Sequence, residues 1–464
     1  MYHNISRSLE RAPKSRQRLR PNEILGLTGL YLFSYTAVLG IAGANIGLLL
    51  MLLGMLPQLP EVWRAYRSSR VVQLVLLGIF YIVISAAIAS YYLPETRAHQ
   101  WDQLLRWGDL GLILLVAWWL KGKPSRFYIS FALFAAGAFT RMFTFMPWDA
   151  VGTLLKGGYH PWGFGLWHIS FSAYLVIVLL GLLLFAKRWL ASVKTQWAKF
   201  LVILLLLIAL VLCVEGILVS KSRGTWLAAL LVLPVSLLLY GRTLLRSQAA
   251  FSRRHLLVMV GIGIVMMGAL LIPQLDRVIE RAAQEQETYR VMLEEDISKV
   301  PPSSVGLRIH MWKYGIERWL ERPLFGWGIG SERYLMKEKW PEGVYGRNYY
   351  VPPHFHNIYL EILVRFGLVG FWLLASIVFL IYREVWRKYR EGLLPADWFY
   401  FLFGTLAFSM IWGCFDIRVV KWDYRDFVLL FIGAALIISR PFAESGFFER
   451  LRGKEGTFSK HEQP

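Results

Sequence analysis

Cysteine is nearly absent from this sequence, and acidic residues are scarce. The two cysteines, Cys213 and Cys414, both lie in apolar stretches, which excludes a disulfide framework and a cysteine-based metal site. The chain has 51 lysines and arginines against 31 acidic residues, for a formal net charge of +20. Because the basic residues cluster in short loops between apolar stretches, we expect them to face anionic membrane lipids, and we expect no nucleic-acid partner.

Motifs that bind nucleotides are also missing. The sequence contains no glycine-rich dinucleotide fingerprint after a strand, no P-loop, no HExxH motif and no DxD pair. These absences argue against a nucleotide-driven transporter and against an enzyme that uses nucleotide sugars. The first twenty or so residues are polar and basic, so we expect no cleavable signal peptide.

Hydrophobic residues are what the sequence has in excess. They make up 56% of the chain and charged residues only 18%, whereas soluble domains are about half apolar and about a quarter charged. The excess falls into repeated apolar blocks of roughly 17–25 residues, the length that crosses a bilayer as a helix. This pattern predicts an all-α, polytopic membrane protein of about twelve transmembrane helices. The predicted spans are 24–41, 43–58, 71–93, 107–120, 127–146, 167–186, 198–219, 225–240, 256–273, 356–382, 397–415 and 425–439.

The loops between these spans alternate between strongly and weakly basic. The strongly basic set comprises the N-terminal tail, the loops near 64–70, 121–126, 187–199, 242–254 and 383–390, and the C-terminal tail. The positive-inside rule places this set, and with it both chain termini, in the cytoplasm. The predicted organisation is a basic cytoplasmic tail at 1–23, nine spans within 24–273, a periplasmic loop at 274–355, three spans within 356–439 and a cytoplasmic tail at 440–464.

The loop at 274–355 is too long to be an idle connection in a compact protein. Its first part, up to residue 299, carries charges at helical spacing and favours a helix. A second, amphipathic helix is predicted over 308–320, followed by Pro323 and a glycine-rich turn. The apolar face of that helix is predicted to consist of Ile309, Trp312, Ile316 and Leu320.

Three groups of polar residues are predicted to share the non-cytoplasmic side. Lys221 and Arg223 lie in a loop of a few residues between two spans, where a cation is costly unless it is paired. The alternative there is an arginine that only anchors a helix end. Arg308 opens the amphipathic helix, where its guanidinium and the free amides of a helix N-terminus suit a phosphate. The alternative for Arg308 is a solvated surface position.

The third group is His354, His356 and Asn357, with Glu361 and Arg365 one and two turns further along. An imidazole exchanges protons near neutral pH, so a histidine here is a candidate base; the alternative is that these residues make ordinary contacts at a helix start. Glu361 and Arg365 are four residues apart and able to pair. Together the three groups favour group transfer from a lipid-linked phosphate or diphosphate, with cations instead of a metal holding the leaving group.

The order of these residues resembles the O-antigen ligase/polymerase superfamily of bacterial envelopes. The resemblance rests on Arg-x-x-x-Trp from Arg308, the segment Arg-Pro-Leu-Phe-Gly-Trp-Gly at 322–328, His-Phe-His-Asn-x-x-Leu-Glu at 354–361, and the pair Gly367 and Gly370. It implies a GT-C-like protein of the bacterial inner membrane. The implied activity is a metal-independent, cofactor-free, inverting glycosyltransferase of the periplasmic face. The donor would be a glycan on undecaprenyl diphosphate, and the acceptor of a ligase would be a sugar hydroxyl of lipid A–core.

The resemblance also implies roles for individual residues. His356 matches the family's essential histidine before asparagine, while Arg223 and Arg308 match the arginines that bind the diphosphate. The expected supporting residues are His354, Asn357, Lys221 and Glu361. In the implied mechanism the two arginines stabilise charge on the diphosphate, and His356 orients or deprotonates the acceptor hydroxyl.

Other kinds of protein remain open from the sequence. Within the same enzyme class, the chain would be a Wzy-type O-antigen polymerase, whose acceptor is another lipid-linked repeat, or a protein O-oligosaccharyltransferase, whose acceptor is a serine or threonine. In a different class, it would be a flippase or transporter of the lipid-linked glycan. A flippase is expected to carry charges within many spans, whereas these spans are mostly uncharged and the polar residues gather on one side.

Overall fold

The computed structural model describes residues 19–155, 162–246, 283, 286–293, 299–301, 303–338, 354–418 and 421–436, and every regular element among these residues is helical. The α-helices are α1 (Pro21–Thr36), α2 (Ile41–Met55), α3 (Leu59–Arg67), α4 (Arg70–Tyr92), α5 (Arg97–Gly108), α6 (Ile113–Leu120), α7 (Pro124–Thr144), α8 (Val151–Leu155), α9 (His168–Ser192), α10 (Gln196–Val219), α11 (Arg223–Arg246), α12 (Gln286–Leu293), α13 (Ser304–Glu321), α14 (Glu332–Glu338), α15 (Ile358–Arg390), α16 (Ala396–Gly413) and α17 (Trp422–Ala435).

Eight helical stretches among the described residues are long and apolar enough to cross a membrane. They are α2 with α3, α4, α5 with α6, α7, α9, α10, α11 and α15. The predicted all-α, polytopic membrane fold is therefore confirmed. Helices α1, α16 and α17 coincide with three further predicted spans, whereas the predicted span at 256–273 and most of the two predicted tails lie outside the described residues. The total of about twelve spans stays a prediction.

The fourth predicted span begins earlier than its apolar pattern suggests. The sequence predicts a helix over 107–120, whereas the chain is helical from Pro94 because a polar helix, α5, comes first. The buried side of α5 consists of Gln100, Gln103 and Trp107. Gln100 Oε1 accepts a hydrogen bond of 2.8 Å from the Gly330 amide. This bond attaches α5 to the glycine-rich turn that follows α13.

Helix α9 is the most buried of the candidate spans and lies in the main hydrophobic core. Its residues 170–182 are buried on every side, the pattern of a helix surrounded by others. The shorter helices α16 and α17 pack into the same core. Phe127 of α7 stacks on Trp398 of α16 with ring centroids 4.5 Å apart, and Phe134 meets Phe431 of α17 edge-on.

Helix α13 confirms the amphipathic helix predicted over 308–320, but the predicted buried face is wrong in part. Met311 and Tyr314 are buried, in a small second core that includes Phe355. Ile316 and Leu320, which were predicted to lie on the buried face, are 46% and 61% exposed. Both sides of the helix carry apolar residues, so periodicity alone does not decide which side finds a packing partner. In the folded protein, α14 and the segment before α15 cover the side with Met311 and Tyr314.

A kink in α15 is where two glycine-containing parts of the sequence motif meet, the 322–328 segment and Gly367. Gly367 has a φ of +63°, which interrupts the helix. In the broken turn the carbonyls of Val364 and Arg365 accept hydrogen bonds of 2.8 and 2.9 Å from the amides of Trp327 and Gly328. A Cβ at Gly367 would lie 2.3 Å from the backbone of the same 322–328 segment. The 322–328 segment thus supplies hydrogen-bond donors to the free carbonyls of the broken turn and packs closely against the span.

Candidate functional site

The two histidines lie on one sharp turn before α15. Phe355 between them is fully buried; its amide donates to Glu361 Oε2 and its carbonyl accepts from Trp312 Nε1, both at 3.0 Å. His356 has a φ of +51°, a left-handed conformation that is uncommon for a residue with a side chain. The anchored turn sets the rings of His354 and His356 beside each other, with centroids 4.2 Å apart. Strained backbone that the surroundings hold in place is typical of functional sites.

Asn357 ends this turn and starts the span. Its Oδ1 accepts hydrogen bonds from the amides of Tyr359 and Leu360, at 3.0 and 3.1 Å, and so caps α15. The side-chain oxygen is therefore engaged with the helix and not with an imidazole. The positive end of the α15 dipole faces the histidine turn, which favours an anion there.

The pair that the spacing of Glu361 and Arg365 allows is present and buried. Arg365 Nε and Nη2 lie 3.0 and 2.5 Å from Glu361 Oε1. Arg365 Nη2 is also 3.4 Å from Glu332 Oε1, which lies 3.0 Å from His99 Nε2. The network joins α5, α14 and α15, and its Glu361 end holds the Phe355 amide. Glu361 thus supports the histidine turn from inside the protein.

Asp416, an acidic residue that the sequence analysis did not single out, completes the histidine group. It is buried in the turn after α16, with Oδ1 at 3.8 Å from His356 Nδ1, which is beyond hydrogen-bond distance. Arg418 Nε donates to Asp416 Oδ2 at 3.2 Å, and its Nη1 lies 3.7 Å from Asp423 Oδ2. The available signal was an Asp-x-Arg pair immediately after an apolar span, where charges are costly unless they are paired or used.

The surroundings keep both imidazoles neutral at pH 7. Burial lowers the pKa of His356 to about 4; Asp416 opposes this, and Arg308 and Arg418 reinforce it. Burial and the neighbouring His356 lower the pKa of His354 to about 3. Burial raises the pKa of Asp416, but Arg418, with help from the two imidazoles, brings it below its ordinary value. The site therefore places a neutral imidazole beside an ionised carboxylate.

The structure places the predicted arginines at the same end of the helix bundle. Arg308 lies one turn inside α13, close enough to His356 for its charge to lower that pKa. Arg223 is exposed at the start of α11, and the glycine that follows it packs against Phe415, which directly precedes the carboxylate of the site. Lys221 lies in the turn before α11 and has a φ of +52°.

An apolar cavity of about 420 Å³ opens beside the histidine turn. Asp416, Arg418 and Tyr359 line its polar end. Its other walls are almost entirely apolar side chains of α4, α15, α16 and α17. A cavity with charges at one end and hydrocarbon along its length fits a lipid that has a charged head.

One group of described residues has the composition of a metal site. Ligand atoms of His354, His356 and Asp416 all lie within 4.8 Å of one another. Two imidazoles and a carboxylate are ligands that zinc and other transition ions accept. The neighbouring charges of Arg308 and Arg418 oppose a cation and favour an anion. We therefore interpret the group as a site for proton transfer next to an anion.

Comparison with known proteins identifies one family. Residues 208–375 match a family model described as O-antigen ligase. The match contains Arg223, Arg308, His354 and His356, whereas Asp416 lies beyond its end. No curated protein matches the chain. The chain thus carries an O-antigen ligase domain at residues 208–375, which supports membership in the O-antigen ligase/polymerase superfamily.

Proposed function

We propose that this protein is a membrane glycosyltransferase that moves an O-antigen glycan from undecaprenyl diphosphate to a sugar hydroxyl of lipid A–core. The observation that carries the proposal is the meeting of four groups beside an apolar cavity: the neutral imidazole of His356, the guanidinium of Arg308, and the carboxylate of Asp416 and the guanidinium of Arg418, both of which line the cavity. The family match supports ligase-type or polymerase-type activity in general. The donor, the acceptor and the membrane face belong to the proposal.

The positive-inside pattern supports a periplasmic site in the inner membrane. The histidine turn lies at the N-terminal end of α15, and the C-terminal end of the same helix carries Arg387, Lys388 and Arg390. A basic helix end of this kind favours the cytoplasmic side. The histidines then face the periplasm, and both chain termini lie in the cytoplasm.

The cationic groups suit the diphosphate of the donor. Arg223 and Arg308 bind phosphate oxygens and stabilise the negative charge that develops as the glycosidic bond breaks. Arginine fits this task better than lysine because its planar fork binds two phosphate oxygens at once. The polyprenyl chain lies in the apolar cavity that starts beside Tyr359. Since diphosphate is already a good leaving group, the step needs neither a metal nor a strong acid.

His356 activates the acceptor. The hydroxyl proton passes to Nε2 of the neutral imidazole, while Nδ1 faces Asp416, whose carboxylate stabilises the imidazolium as it forms. The hydroxyl oxygen attacks the anomeric carbon from the face opposite the diphosphate. The electron pair of the broken carbon–oxygen bond goes to the diphosphate, and the configuration of the sugar is inverted. The separation of 3.8 Å between Nδ1 and Oδ1 is expected to shorten when the substrates bind.

The test is glycosyl transfer by the purified full-length protein, with a lipid-linked glycan as donor and rough lipopolysaccharide as acceptor. Alanine at His356 is expected to abolish transfer, and alanine at Arg223 or Arg308 to lower kcat about 100-fold to 1,000-fold, without changing expression or membrane insertion. Lys313→Ala is the matched control, because Lys313 is an exposed cation on the same helix as Arg308. Wild-type transfer by all three site variants would refute the mechanism.

The same chemistry serves an O-antigen polymerase or a protein O-oligosaccharyltransferase, so the acceptor must be varied. A second lipid-linked repeat, or an acceptor protein, is offered in place of lipopolysaccharide. In a deletion strain, loss of a ligase leaves bare core and glycan on the lipid carrier, whereas loss of a polymerase leaves core with a single repeat. A flippase forms no glycosidic bond, so transfer in vitro excludes flipping as the sole activity.

A further inference from the structure

A second cavity lies at the opposite end of the same helices. It has a volume of about 560 Å³ and lies between the start of α4 and the last turns of α15. The cations among its described lining residues are Arg70, Arg383, Arg387 and Lys388. Because the histidine turn precedes the first residue of α15, the two sites are on the order of 40 Å apart along that helix. This cavity is therefore separate from the glycosyl transfer site.

The cavity has a positive charge that its own residues do not neutralise. The acidic residue in its described lining, Glu384, is bound on both oxygens by Arg387, at 2.6 and 3.0 Å. Arg70 and Arg383 are exposed, and neither forms an ion pair with another part of the chain that the structure describes. The positive-inside rule alone requires basic residues at this membrane face, but it does not require them to converge on a concavity. Convergence of this kind attracts an anion.

Neutral hydrogen-bond donors lie beside the cations. Ser68 and Ser69 line the cavity just before α4; the Ser68 hydroxyl donates to the Ala65 carbonyl at 3.1 Å, so Ser69 is the hydroxyl donor for a ligand. The amides of Arg70 and Val71 belong to the first turn of that helix, where N–H groups have no acceptor within the helix. Hydroxyl groups, backbone amides and guanidinium groups are together the donors that bind phosphate oxygens.

Behind these donors the walls are apolar. Ile381, Ala435 and Leu436 line the basic cavity, and the same three residues line the apolar cavity that begins at Asp416. A hydrocarbon-lined space therefore adjoins the cationic pocket. A ligand with an anionic head and a hydrocarbon tail satisfies both parts, whereas a free anion uses only one of them.

We propose that this cavity binds the headgroup of an anionic phospholipid. Its phosphate lies between Arg70 and Arg383, and an acyl chain packs against Ile381 and Leu436. With the orientation proposed above, the lipid comes from the cytoplasmic leaflet. Because the cavity is formed by the start of α4 and the end of α15, the bound lipid ties these two helices together below the transfer site.

The test measures lipid binding to the delipidated full-length protein by native mass spectrometry. Cardiolipin, phosphatidylglycerol and phosphatidylcholine are offered separately, and the protein is expected to retain the two anionic lipids and not phosphatidylcholine. The triple variant Arg70→Gln/Arg383→Gln/Lys388→Gln is expected to bind the anionic lipids more weakly, by a factor of about ten or more. Inorganic phosphate is the probe for a free anion, and it is expected not to displace the lipid.

A second triple variant is matched to the first in charge. Lys194→Gln/Arg242→Gln/Arg246→Gln removes three cations from loops predicted to lie on the same side of the membrane, and it is expected to bind like the wild type. Equal weakening in both triple variants, unchanged binding in both, or displacement by phosphate alone would each overturn the proposal. Arg383→Glu is a further pocket variant with a single change, and thermal melting in a zwitterionic detergent checks that all variants are folded.

Discussion

The pKa of His356 depends on neighbours that act in opposite directions. Burial and the charges of Arg308 and Arg418 lower it, and Asp416 raises it. A base has to be unprotonated, so transfer is expected to be lost as the pH falls through the His356 pKa of about 4, and to be independent of this group at higher pH. This loss of activity at low pH forms the acidic limb of the pH–rate profile. A variant that removes a neighbouring charge is expected to move the limb to higher or lower pH according to the sign of that charge.

Asp416→Asn removes the charge that raises the His356 pKa. The acidic limb is expected to move to lower pH, and kcat to fall by about 10-fold to 100-fold because the imidazolium loses its counter-charge. The measurement is kcat/KM against pH in proteoliposomes. Asp102→Asn, at an exposed carboxylate of α5, is the control and is expected to leave both quantities unchanged. A limb that moved to higher pH would contradict the role given to Asp416.

Arg308→Ala is expected to move the limb the other way. Loss of the guanidinium raises the His356 pKa, and kcat is expected to fall by about 100-fold to 1,000-fold because the diphosphate loses a ligand. Arg308→Lys keeps the charge, so its limb is expected to stay in place while transfer falls through loss of the two-pronged contact. Identical pH profiles for the alanine and lysine variants would show that Arg308 does not act on His356 through its charge.

The sequence was informative about residues whose type and spacing carry the signal. His356 and Arg308 fall into this class, and the structure brings them close together. Asp416 does not, because the Asp-x-Arg pair after α16 does not indicate which residues it meets, and its proximity to His356 depends on how the end of α16 packs against the start of α15. The cap formed by Asn357 is the helix-start alternative that the sequence left open, and the choice between it and a contact with the imidazole depends on side-chain geometry.

At the scale of elements, the break in α15 is where the 322–328 segment binds to the long helix. Apolar periodicity located α4, α9, α10 and α11 because a helix in lipid needs a long hydrophobic stretch whatever its neighbours are. It placed the start of the fourth span too late and misassigned part of the buried face of α13. Both depend on which partner covers a partly polar helix, and that partner lies far away in the sequence.

Gly367→Ala tests the importance of the break. The substitution meets two penalties: a positive φ, which costs about 1–2 kcal/mol for a residue with a Cβ, and a contact of 2.3 Å with the 322–328 backbone. Gly392→Ala is the matched control, because Gly392 has a φ of +71° but nothing within 4 Å of the added Cβ. We expect the control to lose about 1–2 kcal/mol of unfolding free energy and Gly367→Ala to lose clearly more. Equal melting temperatures for the two variants in the same detergent would show that the close approach of the 322–328 segment to Gly367 adds no energetic penalty.

At the scale of the whole molecule, the two cavities lie end to end along α15, and we call the path that they form the seam. The apolar cavity starts at the histidine turn, follows α15 between α4 and α17, and meets the basic cavity at Ile381 and Leu436. Chemistry that acts on a lipid-linked donor needs such a path, because the diphosphate has to reach polar groups while its chain stays in hydrocarbon. No local pattern predicts this seam, since it arises from helices that are hundreds of residues apart in the chain.

Gly78→Phe tests whether the seam holds the polyprenyl chain. Gly78 lines the apolar cavity from α4, with Ile377 of α15 as the nearest neighbour of an added Cβ at 3.5 Å, so a phenyl ring there fills space away from the histidine turn. The KM for a full-length polyprenyl donor is expected to rise about tenfold with little change in kcat, because the lost contact serves ground state and transition state alike. A donor with a short prenyl chain does not reach Gly78 and is expected to keep its KM. Leu207→Phe, on the exposed side of α10, is the control for adding an aromatic ring to a span. If KM rose equally for long and short donors, the ring would be acting on the transfer site itself and the chain would lie elsewhere.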